Sequence, residues 1–145
     1  MTLDPGWHPD WLCDPSTPTF LREIDLLFIN DREVEAITGE ADPREALRAA
    51  ARLGLTRMAV KCGPSGAWLA WNGAMLHAPA QVVQVAETTG AGDCFNAGFL
   101  AGWLAGWPPE RNLSAGVFCG SMSTRKAGGL AGFPTRLEFD EWVRA

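Results

Sequence analysis

The sequence contains few of the residues that build metal centres and hydrolase sites. It has only two histidines, and its four cysteines are far apart, with neither a CxxC pair nor a Cys/His cluster. The spacing therefore predicts neither a zinc site nor a redox dithiol motif, and it supports no Ser-His-Asp constellation. We expect reduced thiols that pack as small apolar groups. The cysteines are Cys13, Cys62, Cys94 and Cys119.

Excess positive charge and long apolar runs are also missing. With 12 Lys and Arg against 17 Asp and Glu, the formal net charge is −5, which argues against nonspecific binding to nucleic acid or to an anionic membrane surface. The most apolar stretch, residues 95–107, is shorter than the roughly 20 residues that cross a bilayer. We expect no transmembrane segment, no signal peptide and a cytoplasmic location.

The composition is typical of one soluble globular domain, with 145 residues of which 47% are apolar. Residues 1–20 are rich in Pro and Trp and predict irregular structure. The Asn72-Gly73 pair predicts a β-hairpin. The remaining predicted elements are strands at 26–29, 57–62 and 81–86, helices at 30–39, 42–54, from 93, at 110–126 and at 137–143, and a Gly-rich loop at 128–132. Strands that alternate with helices predict one α/β domain over residues 1–145, with helices flanking a sheet.

The most informative stretch is residues 87–96, where the predicted strand turns into a helix. Gly90, Ala91 and Gly92 fall at the first amides of that helix, which have no partners inside it and attract an anion such as phosphate. Asp93 adds a carboxylate that can accept a proton. An anion hole beside a base favours phosphoryl transfer.

Ordinary structure is the alternative explanation of this stretch. Asp in a first helical turn is commonly a cap, and Gly-rich turns often connect a strand to a helix. Two other phosphate motifs do not match: a Walker A loop would continue with Lys and then Ser or Thr, and a dinucleotide fingerprint would have Gly in place of Phe95.

Residues 88–98, Thr-Thr-Gly-Ala-Gly-Asp-Cys-Phe-Asn-Ala-Gly, resemble the second signature of the ribokinase-like, or PfkB, family of carbohydrate kinases. The signature usually opens with Asp, where this chain has Glu87. The resemblance implies a ribokinase-like fold with a three-layer Rossmann-like sheet, and transfer of a phosphoryl group from MgATP to a sugar or sugar-acid hydroxyl. It makes Asp93 the general base and the turn from Gly90 to Gly92 the anion hole.

Two further motifs resemble the nucleotide side of that family. Asn30 and Glu33 match its Asn-x-x-Glu motif, which is associated with magnesium and its water shell, although the same residues also form a helix capping box. Lys61, Gly63 and Gly66 resemble a strand followed by a Gly-x-x-Gly turn beside the nucleotide, and a plain turn is the alternative.

Other positions complete the predicted site. Gly116 and Gly120 could let adenine lie against a helix, or could serve close helix packing. Glu33 is the predicted magnesium residue. Glu87 and Thr89 lie where some relatives bind a monovalent cation such as K⁺.

The resemblance corresponds only to the C-terminal half of such a kinase. The front half, which carries most sugar contacts and a β-sheet lid, is absent, and Gly6 and His8 replace an Asn and an Arg of related sugar kinases. The expected partners are a nucleotide and a small carbohydrate, and either a homodimer or association with the missing half. Two alternatives stay open: a noncatalytic nucleotide-binding or oligomerisation module, and a dinucleotide-dependent oxidoreductase, which Phe95 disfavours.

Overall fold

The computed structural model describes residues 1–128 and 131–145, so part of the predicted Gly-rich loop at 128–132 lies outside the described residues. The chain forms two compact units, Met1–His77 and Ala78–Ala145. This division does not test the expectation of one domain over residues 1–145, which stays a prediction. Within the described ranges, no helix is long and apolar enough to cross a membrane.

A five-stranded mixed sheet provides the framework of the fold. The strands lie in the order β1-β2-β3-β4-β5. The first three are parallel to one another, and β4 is antiparallel to β3. The strands are β1 (Thr2–Leu3), β2 (Leu26–Asn30), β3 (Arg57–Lys61), β4 (Ala67–Trp71) and β5 (Ala74–Ala78). The sheet confirms the predicted α/β class, and the ends of β1, β2 and β3 meet at one edge because parallel strands share a direction.

Continuous apolar runs explain why β2 and β3 are central. Leu26 to Ile29 are all no more than 2% exposed, and Met58 to Val60 are 0% exposed, as is usual for parallel strands buried on both faces. Alternate residues of these strands join one core cluster with Val34 and Leu47, which lie on helices.

The predicted hairpin is confirmed. Asn72 and Gly73 join β4 to β5 with φ angles of 49° and 91°. A type I′ turn needs positive φ at both central residues, which Asn and Gly adopt more readily than other residues.

Four helices belong to the first unit: α1 (Pro9–Leu12), α2 (Thr17–Leu21), α3 (Asp31–Thr38) and α4 (Pro43–Arg52). The two predicted helices correspond to α3 and α4, with N-caps at Asn30 and Asp42 as expected. The prediction that residues 1–20 are irregular is wrong, because β1, α1 and α2 lie there. Pairing of β1 with β2 and burial of Leu12 stabilise elements too short to give a periodic signal.

The second unit contains α5 (Ala91–Leu104), α6 (Pro109–Ser123) and α7 (Arg136–Arg144), close to the three predicted helices. The most buried side chains of this unit, such as Phe99 and Leu113, lie on α5 and α6. Aromatic rings of α6 and α7 also pack together, with the Phe118 and Trp142 centroids 5.2 Å apart in a stacked arrangement. Cys94 and Cys119 belong to the same core cluster as Phe118.

The strand predicted at residues 81–86 does not form, and this prediction is wrong. Val82 and Val85 are 103% and 59% exposed. Among the described residues, amides at the two ends of the segment form hydrogen bonds: Gln81 donates to the Ser121 hydroxyl and Ala86 to the Thr124 carbonyl. A strand needs a neighbouring strand, and no described strand pairs with this segment.

Candidate functional site

The first turn of α5 carries the predicted anion hole. Gly90 is the N-cap and has a left-handed φ of 78°, which turns the incoming chain sharply into the helix. Cys94 makes the first helical bond, donating to the Gly90 carbonyl at 2.9 Å. Over residues 1–128 and 131–145, the amides of Gly92 and Asp93 donate to no protein acceptor. They therefore remain free to hold an anion.

The structure corrects one detail of that prediction. The Ala91 amide donates to the Thr88 carbonyl at 3.1 Å, so it is already used within the turn. The local reason is the tight turn into the helix, which folds the Ala91 N–H back onto the preceding chain. The Asp93 amide, which sequence reasoning missed, is free instead, and the first-turn position of Asp93 was the signal that could have identified it.

Asp93 is exposed in this first turn. Its carboxylate is held by the same helical turn that presents the Gly92 and Asp93 amides. The arrangement can bind an anion and accept a proton from a neighbouring hydroxyl at one end of one helix.

Glu87 fastens the turn before α5 to the chain that follows α6. Its carboxylate accepts a 2.6 Å hydrogen bond from the Gly128 amide. This bond, followed by one from the Thr89 side chain, lowers the pKa of Glu87. The amides of Ala86 and Glu87 both donate to the Thr124 carbonyl, at 2.8 and 3.2 Å. The predicted cation residues Glu87 and Thr89 are thus engaged with each other and with Gly128.

In the first unit, Asn30 and Glu33 form a reciprocal capping box at the end of β2. The Asn30 side-chain oxygen accepts from the Glu33 amide at 2.9 Å, and Glu33 Oε2 accepts from the Asn30 amide at 2.8 Å. Glu33 is only 3% exposed. Its Oε1 has no hydrogen bond within the part of the chain that the structure describes, so one carboxylate oxygen remains for a ligand.

Lys61 ends β3 opposite Asn30 in the sheet register. Its ammonium forms a 2.5 Å ion pair with Asp4, which follows β1. Asp4, Asn30 and Lys61 therefore meet at the carboxyl edge of the parallel strands. Sequence reasoning missed Asp4 as the partner of Lys61 because β1 is only two residues long and gave no strand signal.

The predicted Gly-x-x-Gly turn is a short 3₁₀ segment, Gly63–Ser65. Its own backbone closes it: Cys62 donates to the Gly66 carbonyl at 2.8 Å, and Ser65 donates to the Cys62 carbonyl at 3.0 Å. Space around Gly63 is open, since a Cβ there would meet no described atom within 4 Å. The turn is present, and its contact with a nucleotide stays a prediction.

Gly116 and Gly120 face α5 rather than open space. A Cβ at Gly116 would lie 2.9 Å from the Phe95 ring, and one at Gly120 would lie 3.2 Å from the Ala91 carbonyl oxygen. These contacts are the close helix packing that the sequence left as an alternative. An adenine contact at this helix stays a prediction.

The predicted residues divide between the two units. Asn30, Glu33 and Lys61 come together at the sheet edge of the first, whereas Asp93 and the turn before it lie in the second. Among the described residues, no group of three or more His, Cys, Asp or Glu side chains could hold a metal ion. The assignment of Glu33 to magnesium stays a prediction.

The chain is similar in sequence to known sugar kinases. The sequence profile described as pfkB family carbohydrate kinase matches residues 2–136. A 2-dehydro-3-deoxygluconokinase from Thermoproteus tenax is 31% identical over 122 residues, which are 84% of this chain and 38% of that protein. The chain spans about half the length, or less, of the curated relatives it matches.

Solved structures show the same fold. The ribokinase of Arabidopsis thaliana, complexed with ribose and ATP, has a TM-score of 0.86 at 26% identity, over 99% of this chain and 47% of that one. An E. coli protein in complex with ATP and Mg²⁺ has a TM-score of 0.82 at 23% identity, over 99% and 48%. The predicted ribokinase-like α/β fold class is thereby confirmed.

Proposed function

The chain belongs to the pfkB family of carbohydrate kinases, and from this premise we propose that it is the nucleotide-binding and catalytic portion of an ATP-dependent kinase. Its acceptor is a sugar or sugar-acid hydroxyl. The observation that carries the proposal is the first turn of α5, where the free amides of Gly92 and Asp93 lie beside the exposed Asp93 carboxylate.

Each group in this turn has a separate role. The Asp93 carboxylate accepts the proton of the attacking hydroxyl, which makes the hydroxyl oxygen a better nucleophile. The Gly92 and Asp93 amides donate hydrogen bonds to the phosphoryl oxygens, whose charge changes during transfer. The hydrogen bond from the Gly128 amide to the Glu87 carboxylate holds the turn in place.

The nucleotide side of the proposal uses the edge of the first unit. Lys61 adds positive charge there, moderated by Asp4, and the Gly63 turn offers open space. Glu33 Oε1 would hold a magnesium ion through water, because Mg²⁺ prefers oxygen ligands and usually keeps several waters. The Asn30 amide would fix the orientation of the Glu33 carboxylate by its hydrogen bond to Oε2. A magnesium ion held there would supply charge that offsets the charge of the nucleotide phosphates.

The monovalent cation fits less well. The Glu87 carboxylate already accepts from Gly128 and Thr89, so the residues proposed for K⁺ are committed to one another. We derive no step through such a cation.

The proposed partners follow from the same site. They are a nucleotide and a small carbohydrate, together with either a second copy or the half of the kinase that this chain does not span. All four cysteines are free thiols, which suits the reducing cytoplasm where MgATP is available.

The direct test measures phosphorylation of a panel of ketoses and sugar acids by the wild type and by Asp93→Asn. We expect the substitution to lower kcat by about 10²–10⁴-fold, the usual contribution of a general base, with ATP binding retained. Asp10→Asn, at another exposed first-turn aspartate, is the matched control and should not change kcat. Undiminished transfer by Asp93→Asn would contradict the assignment of the base.

A second candidate is a noncatalytic nucleotide-binding or oligomerisation module. The matching family and its named relatives, which are kinases, do not favour it. ATP binding without transfer to any member of the panel, in the presence of Mg²⁺, would support it over the kinase.

A further inference from the structure

Two of the four thiols lie against each other where α5 and α6 pack. Cys94 is in the first turn of α5 and Cys119 is in the last part of α6. Each residue is 5% exposed, and both belong to one buried cluster with Phe118. The pair was not visible in the sequence because the two residues are 25 positions apart.

Close helix packing explains this contact. Gly98 lies one turn after Cys94 on the same helix, and a Cβ at Gly98 would lie 2.7 Å from Cys119 Sγ and 2.9 Å from its Cβ. The missing side chain lets α6 approach the backbone of α5. Disulfides need Cα atoms about 4.4–6.8 Å apart, so a bond between two helices requires them to pack closely.

The two thiols differ in chemical character. The hydrogen bond from Cys119 lowers the pKa of Cys94, although burial and the Asp93 charge oppose the effect. The same hydrogen bond, together with burial, raises the pKa of Cys119. Cys94 is therefore the better nucleophile and Cys119 is the proton donor beside it.

We propose that Cys94 and Cys119 form a reversible disulfide when the protein reacts with a hydroperoxide. The Cys94 sulfur attacks one peroxide oxygen, the O–O bond breaks, and Cys94 becomes a sulfenic acid while the other oxygen leaves as water or an alcohol. Cys119 then attacks the Cys94 sulfur and releases water. Two thiols lose two electrons and two protons in total, and one hydroperoxide is reduced.

The bond has a consequence for the first turn of α5. Forming an S–S bond of about 2.05 Å draws this turn toward α6, and Asp93 precedes Cys94 directly. A misplacement of about 1 Å can lower a rate by about 10²-fold. This consequence rests on the proposed function, whereas the disulfide itself does not.

Peptide mapping of the wild-type chain tests the disulfide. After hydrogen peroxide treatment and blocking of remaining thiols, non-reducing trypsin digestion should join peptide 62–111 to peptide 112–125. Fragmentation of the joined peptides distinguishes Cys94 from Cys62. The link should persist in Cys13→Ser and disappear in Cys94→Ser and Cys119→Ser. Because the wild-type map identifies the pair, the result does not depend on the folding of the variants.

Cys13 is the internal reference, since it is the exposed thiol. Absence of the link under peroxide that fully oxidises Cys13 would overturn the proposal, and so would a bond from Cys94 to Cys62. Phosphoryl transfer should fall by about tenfold or more on oxidation and recover with a dithiol reductant. If the disulfide forms but phosphoryl transfer does not fall, only the proposed effect of the disulfide on transfer is contradicted. If the disulfide forms in a protein that phosphorylates no sugar, only the kinase proposal is contradicted.

Discussion

Gly98 shows how a single missing side chain shapes the second unit. A Cβ at this position would lie 2.6 Å from the Ala115 carbonyl oxygen, which belongs to the rigid backbone of α6. Alanine is the better helix former by about 1 kcal/mol, but here the neighbouring backbone leaves no room. Local propensity and packing therefore act in opposite directions.

We predict that Gly98→Ala lowers the free energy of unfolding by about 1–3 kcal/mol, the usual cost of overpacking. Urea unfolding followed by circular dichroism measures it. The control is Ala97→Gly at the exposed neighbouring position, which should cost about 1 kcal/mol through helix propensity alone. A free energy of unfolding of Gly98→Ala equal to or greater than that of the wild type would contradict the close packing of α5 and α6.

Hydrogen bonds and an ion pair lower the pKa of the Glu138 carboxyl group. Its carboxylate accepts from the Thr135 amide at 2.6 Å and pairs with Arg125 at 2.9 Å. These contacts, with the Thr135 hydrogen bond largest, lower the pKa of Glu138 from 4.5 to about 2. Because the folded pKa is depressed, the stabilisation is present above about pH 4.5 and is lost as the pH falls toward 2.

We predict that Glu138→Gln lowers the midpoint of thermal unfolding at pH 7. The difference in midpoint between the variant and the wild type should become smaller as the pH falls to about 3. The loss at pH 7 should be about 1 kcal/mol, since the group is partly exposed and mainly caps α7. Glu141→Gln, on the exposed side of the same helix, is the control. A difference that does not change with pH would exclude a role for the Glu138 charge.

At the scale of elements, the hairpin between β4 and β5 depends on its two turn residues. Gly73 has a φ of 91°, and no atom of the described residues lies within 4 Å of the place a Cβ would occupy. We predict that Gly73→Ala costs about 1 kcal/mol through backbone strain alone. Gly73→Asn should cost less, because Asn tolerates left-handed conformations better. Thermal unfolding of both variants measures the difference, and equal midpoints would contradict a type I′ turn.

Local chemistry explains which elements the sequence predicted. Asn30, Asp42 and Asn72-Gly73 act on residues within four positions, so the starts of α3 and α4 and the hairpin were predictable. β1 and the partner of Lys61 were not, because they depend on pairing between distant segments. Residues 81–86 failed for the same reason, since β-branched residues predict a strand whether or not a neighbour exists.

The site follows the same division. The position of Asp93 in the first turn of a helix was predictable from residues 88–98, and the structure places it there. Two hydrogen bonds depend on the exact direction of the backbone: the one from the Ala91 amide to the Thr88 carbonyl and the one from the Gly128 amide to the Glu87 carboxylate. No motif reports that direction, so the choice between the Ala91 and Asp93 amides required the folded chain.

For the molecule as a whole, stability should be distributed unevenly. β3 has a neighbour on both sides, whereas the amides of residues 82–85 donate to no acceptor within the described ranges. We predict that deuterium exchange at residues 82–85 is complete at the earliest time point, while Met58 to Val60 exchange only through extensive unfolding. Protection of residues 82–85 equal to that of β3 would show that another chain pairs with them.

The exposed segment at residues 81–86 should also promote aggregation of the protein during storage. Gln-Val-Val-Gln-Val-Ala has high β propensity and neither charge nor proline, the composition from which cross-β fibrils grow. Its open backbone groups offer a template to other copies, so slow fibril growth at high concentration should start here. Placing a charge in the window, as in Gln84→Lys, should delay thioflavin-positive aggregation and lengthen storage life.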